Sequence, residues 1–179
     1  MEQKSLVRRI YSEKTIQKIE KKIKLLGLNC HYKAIDLLNY RLLISLAIFF
    51  ILIAFNKNGY ILAPIFVVLF HYLSEYFVLD YPIKKREKKL EEEAIFFFEV
   101  LSLTLESGRN LTLSLQITSK NIDSELSMEF RKSLQEMSLG KTFAEAITDM
   151  KQRIPSDTIN NALLNIVQSF SCFTSIRSR

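Results

Sequence analysis

Two long apolar runs separated by four residues constrain this chain more than any other feature of it. Leu42–Phe55 reads LLISLAIFFILIAF, fourteen residues without a charge. Alone that is short of the roughly 20 apolar residues that cross a bilayer. Ile35–Tyr40 adds apolar length upstream, and the long stem of Arg41 lets its charge snorkel toward headgroups. Asn56-Lys57-Asn58-Gly59 then reads as a turn. Tyr60–Leu79 follows, twenty residues broken only by His71 and Glu75. Two such runs around a tight turn predict a transmembrane helical hairpin at 35–80, with helices over about 35–55 and 60–79. A soluble buried hairpin is the competing arrangement, and the second run is too long and too apolar for it.

Orientation follows from the flanks. Residues 1–41 hold ten Lys or Arg against four acids, and Lys84, Lys85, Arg86, Lys88 and Lys89 follow the second run closely. The turn between the runs carries only Lys57. The positive-inside rule therefore puts both termini in the cytoplasm. Tyr40, Tyr60, Tyr76 and Tyr81 fall near the expected interfaces, where such rings are favoured. No apolar stretch opens within the first thirty residues, so no secretory signal peptide is expected. Within the basic segment 1–34, Ile16, Ile19, Ile23 and Leu26 form one helical stripe ringed by Lys14, Lys18, Lys21, Lys22 and Lys24. That stripe fits either an anionic membrane face, apolar side down, or the rest of the protein. The hairpin that follows favours the membrane face.

From Lys84 on, the periodicity is that of amphipathic helices. Ala94–Leu105 is nearly continuous apolar, with Glu91, Glu92 and Glu93 placed to meet the positive end of a helix dipole if a helix begins there. Phe130, Leu134 and Met137 mark another helix. Phe143, Ala146, Ile147, Met150 and Ile154 mark the next, and Ile159, Ala162, Leu163, Ile166, Val167 and Phe170 a last. No segment alternates with a period of two, so 84–179 is expected to be an antiparallel helical bundle and the chain all-α. Gly108-Arg109-Asn110-Leu111 and Gly140-Lys141-Thr142-Phe143 read alike: a glycine able to end a helix in the left-handed region, then an N-cap residue. Each continues with a small residue before an aliphatic one, Ser114-Leu115 and Ala146-Ile147. Ser156 offers a comparable cap.

These residues resemble the type II secretion system F domain. The resemblance rests on Leu105-Glu106-Ser107-Gly108, on Asn110 to Leu115, on Leu139 to Ile147, and on the helix after Ile154; it covers roughly residues 90–176. It implies a platform or scaffold rather than an enzyme, in the cytoplasmic (inner) membrane of a pilus-assembly or protein-secretion machine. The upstream hairpin points to the smaller, Tad-like members. Implied partners are the lipid bilayer, a hexameric secretion or pilus ATPase, a second platform protein or a homo-oligomer, and pilin-like subunits. The candidate contacts are Glu106, Arg109, Lys141 and Glu145, charged residues at the glycine turns, with Gly108 and Gly140 structural. Two departures go with it. Phe173-Thr174-Ser175-Ile176 stands where the family has a further glycine, and Arg179 ends the sequence before the family's second membrane pair, so an incomplete member is expected.

Other chemistry finds little support. His71 and Glu75 share a face at i, i+4 and are expected to make an intramembrane polar contact. A small proton-path subunit built on them is one alternative function; a membrane-tethered helical adaptor unrelated to secretion is another. Cys30 and Cys172, the only cysteines, have no ligand partners at zinc spacing. Gly140-Lys141-Thr142 mimics the end of a phosphate-binding loop without its upstream glycine or strand. No catalytic residue, cofactor or metal is expected. A net charge of +6 would permit nucleic acid, but the excess sits at the membrane flanks, so none is expected.

Overall fold

A computed structural model describes residues 13–27, 34–55 and 59–177, with the side chains of 55, 59–63 and 171–177 left out. Residues 1–12, the Cys30-His31 pair and residues 56–58 of the expected turn lie outside the described residues. The described residues hold eight α-helices and one π-helical segment, and no strand. The chain forms two compact units, Met1–Ile83 and Lys84–Arg179.

The first unit begins with α1 (Glu13–Lys24) and α2 (Ala34–Phe55). It continues with α3 (Gly59–Glu75) and a π-helical segment (Tyr76–Asp80). At 22 residues, α2 is about 33 Å long, enough for a hydrocarbon core of about 30 Å. Its stretch Ala34–Ala54 is the one described helix long and apolar enough to cross a membrane. The second apolar run is not one helix of twenty residues. It divides into a 17-residue α-helix and a five-residue π segment. Both α2 and α3 turn large apolar side chains outward, among them Leu43, Phe50 and Ile51 on α2 and Ile65, Val68 and Leu69 on α3.

Two expectations about this unit are corrected. The apolar stripe of α1 does not face outward. Ile19 is buried with Ala34, Leu38 and Leu79, and Ile16, Ile23 and Leu26 pack around them. Covering four aliphatic side chains with protein removes them from water at about 25 cal/mol per Å², and the base of α2 is the apolar surface at hand. Arg41 does not snorkel. It is 5% exposed, and its guanidinium donates to the backbone carbonyl of His71 on α3, a fixed partner that a charge inside an apolar layer requires.

The second unit is a helical bundle. Its helices are α4 (Tyr81–Glu106, which starts in the first unit), α5 (Leu111–Asn121) and α6 (Glu125–Ser138), then α7 (Phe143–Lys151) and α8 (Asp157–Arg177). Leu90, Ala94, Phe97 and Leu101 line the inner face of α4. Phe97 stacks on Phe130 of α6 with ring centroids 4.5 Å apart, and Phe98 meets the same ring edge-on. Leu115, Leu126, Ile147, Met150, Ile154, Ile159 and Leu163 complete the core. The acids Glu91–Glu93 do not open a helix, because α4 already runs from Tyr81. Glu91 and Glu93 serve tertiary contacts instead. Glu91 accepts from Ser156 Oγ at 2.6 Å, and Glu93 accepts from the Leu126 amide at 3.0 Å. Phe173–Ile176, which stands where the resemblance would place a further glycine, continues α8.

Candidate functional site

The glycine turns are built as their sequences suggest. Gly108 takes φ +81° between α4 and α5, and Gly140 takes φ +105° between α6 and α7, the left-handed region that residues with a Cβ avoid. Asn110 Oδ1 accepts from the Leu113 amide at 2.8 Å. Thr142 Oγ1 accepts from the Glu145 amide at 3.3 Å while Glu145 Oε2 accepts from the Thr142 amide at 2.9 Å, a reciprocal capping box. Ser156 accepts from the Ile159 amide in the same way. The matched pairs that follow the glycines are all buried, Ser114 and Leu115 on α5 and Ala146 and Ile147 on α7.

The four charged candidates fall into two groups that no hydrogen bond or ion pair joins among the described residues. Glu106 and Arg109 flank Gly108, exposed and in no ion pair among the described residues. Lys141 and Glu145 line an open concavity with Leu139, Ala144, Thr148 and Asp149. Lys141 Nζ donates to Asp149 at 2.6 Å and to Glu136 at 3.0 Å, and these bonds raise its pKa, Asp149 first. Glu145 is committed to its cap. The Thr142 amide, then its hydroxyl, hold the carboxyl below its ordinary range. Between these tied charges Leu139 stands 80% exposed, a residue the charge-led reading of the sequence missed. Its signal was there to read: a leucine immediately before a helix-ending glycine, off the Phe130–Leu134–Met137 stripe.

Thr142→Ala is expected to cost about 1 kcal/mol, the usual value of an N-cap, read as a lower unfolding midpoint in denaturant. Glu145 sets a pH dependence whose sign is fixed. Its folded pKa lies below its unfolded value near 4.5, so its contribution is present above that pH and fades as pH falls through the folded pKa. The difference in melting temperature between wild type and Glu145→Gln should therefore shrink as pH drops below 4.5. A difference that stays constant down to pH about 2 would exclude the ionised cap.

Behind this turn lies a buried ionic chain that the sequence reading did not single out. Glu129 on α6 is fully buried. Arg86 Nη2 donates to one of its oxygens at 3.0 Å, and Arg153 Nε donates to the other at 2.8 Å. Arg86 also donates to Glu125 and to the Arg153 carbonyl. Arg153 Nη1 lies 3.6 Å from Glu136, the acid that also holds Lys141. The charges thus run without a break from the start of α4 through α6 to the Gly140 turn.

In the first unit, Glu75 and His71 make polar contacts, but not with each other. Glu75 Oε1 accepts from Lys22 Nζ at 2.8 Å and lies 3.8 Å from Lys18 Nζ. His71 takes part through its backbone carbonyl, which accepts from Arg41 and from Ser74 Oγ. Lys22 Nζ also lies 2.7 Å from Asp80. Partial burial lowers the Lys22 pKa, and the hydrogen bonds to Asp80 and Glu75 outweigh it, for a net rise. Among the described residues no group of His, Cys, Asp and Glu is arranged to hold a metal ion.

Residues 97–170 match the family described as Type II secretion system (T2SS), protein F. No curated protein and no solved structure matches the chain. The matched stretch runs from the second half of α4, at Phe97, to Phe170 on α8 and takes in both glycine turns, the capping box and the Phe97–Phe130 core. With that match laid over the bundle, residues 97–170 are similar to the F protein of type II secretion systems, a family of inner-membrane platform components of secretion and pilus machines.

Proposed function

We propose that this protein is a non-enzymatic platform of a pilus-assembly or protein-secretion machine, of the Tad-like kind, that couples a cytoplasmic ATPase to the export of pilin or substrate. The observation that carries the reading is the family match across residues 97–170. Support for a membrane hairpin comes from the outward apolar side chains of α2 and α3. A soluble protein rarely leaves so continuous an apolar surface to water, and helices are what a bilayer admits. In this reading both helices span, the termini are cytoplasmic, and the bundle faces the ATPase. A second platform protein or a second copy and pilin-like subunits complete the assembly.

The two glycine turns are the proposed ATPase contacts, with Leu139 as the apolar knob and Glu106, Arg109, Lys141 and Glu145 around the turns. Co-purification from native membranes in mild detergent after light crosslinking is expected to recover a hexameric secretion ATPase or a second platform protein. Leu139→Asp should reduce ATPase recovery severalfold at unchanged protein level, because an exposed charge at that point leaves the fold intact. Clean recovery of the wild-type chain at native abundance with neither partner would remove the platform role.

A further inference from the structure

The outer face of α4 carries a pattern that the core does not use and that the Gly108 turn shares only at Glu106. Glu92, Glu99 and Glu106 recur every seven residues, with Ile95, Phe96 and Leu103 between them, and all six are on the exposed side of the helix. At about 100° per residue the six fall within an arc of about 100°, and successive glutamates stand about 10.5 Å apart. Ile95 is 74% exposed, Phe96 58% and Leu103 62%. Most other acids of the bundle have a partner: Glu93 and Glu125 with Lys89, Glu129 with two arginines, Glu136 and Asp149 with Lys141, Asp123 with Arg131. None of these three glutamates forms an ion pair among the described residues. An exposed aromatic and two aliphatics flanked by unpaired carboxylates at a two-turn repeat make a helix face with no partner inside its own unit.

We infer that this face docks a basic amphipathic helix of another protein, one with lysine or arginine every seven residues and aliphatic side chains between. The repeat sets the occupant. Seven residues on one helix match seven on a partner lying along it, so each carboxylate meets one cation while the apolar groups close over each other. The same carboxylates repel anionic lipid headgroups and nucleic acid. A second copy of this chain fits poorly. In parallel register each glutamate would face its own counterpart. The antiparallel register that seats Ile95 on Phe96 sets Glu92 against Glu99, and like charges so placed are unfavourable. Of the face's six residues only Glu106 also belongs to the proposed ATPase contact, and the peptide test reads the face without that ATPase.

The test uses the full chain in detergent micelles and a labelled 21-residue peptide with Lys at every seventh position and Leu at the intervening 3–4 spacings. Fluorescence anisotropy should show saturable binding. A peptide of identical composition with its lysines moved off the seven-residue spacing should bind about tenfold or more weakly. The variant Glu92→Lys/Glu99→Lys/Glu106→Lys, all surface changes, should weaken binding by about tenfold or more, and a peptide with Glu in place of Lys should restore it on that variant. Equal binding of the two lysine peptides, or no effect of the triple reversal, would overturn the inference. So would light scattering that shows a dimer of the chain abolished by Phe96→Asp, which would assign the face to a second copy.

Discussion

Replacing Glu129 with leucine is expected to destabilise the bundle by about 3–5 kcal/mol, the cost of leaving buried charge without its counter-ion. Glu129 is fully buried between Arg86 and Arg153, each bonded to a different carboxylate oxygen. Its loss strands two guanidiniums that are themselves largely covered, with side chains 6% and 13% exposed. For a unit of this size the unfolding midpoint should fall by on the order of 15 °C, read by calorimetry or circular dichroism on the full chain. A midpoint within about two degrees of wild type would mean that the arginines reach water or other acids. Arg86→Met/Glu129→Leu/Arg153→Met should regain most of the loss, since replacing a whole buried ionic cluster by apolar groups is often neutral. Recovery should stop short of complete, because Arg86 also satisfies the Arg153 carbonyl, which the triple variant leaves unpaired at about 1 kcal/mol or more.

Why this cluster escaped the sequence reading is instructive. Arg86 lies on the stripe of Leu90, Ala94, Phe97 and Leu101, at i, i+4, i+8, i+11 and i+15, and Glu129 adjoins Phe130 on the face that also buries Leu126 and Ser133. Both are charges on an apolar face, a readable signal, but Arg86 is one of five cations among the six residues 84–89, which read more simply as a membrane flank. Helical periods and glycine-cap turns were legible because they depend on residues within four positions of one another. The partner of the α1 stripe was not legible. An amphipathic stripe says that a helix will bury one face, and it does not say whether lipid or protein does the burying. The division of the second apolar run had one readable mark, Pro82, which has no N–H for the Val78 carbonyl inside the segment and whose ring crowds it. The charge that also favours this winding, Lys22, lies more than fifty residues upstream and was not legible.

Lys22→Glu should therefore undo the π segment. Residues five apart on an α-helix point about 140° away from each other, too far around for one ammonium to reach both. π winding, whose hydrogen bonds run from i to i+5, brings such a pair nearly into line. Glu75 and Asp80 are five apart, bracket the segment, and meet one Lys22 nitrogen at 2.8 and 2.7 Å. Leu79, inside the segment, is fully buried in the cluster that holds Ile19, so packing and charge favour the same winding. Exchanging the cation for a third carboxylate removes two charge-assisted bonds and adds repulsion, about 2–4 kcal/mol against the local structure. Amide exchange at 76–81 should rise by about tenfold or more, and α1 should lose protection with it, because the same lysine ties α1 down. Lys22→Glu combined with Glu75→Lys and Asp80→Lys should restore protection, since the bridge is then rebuilt with its signs reversed. Unchanged exchange in Lys22→Glu would mean that Leu79 packing and the missing Pro82 N–H set the winding and the bridge merely follows it.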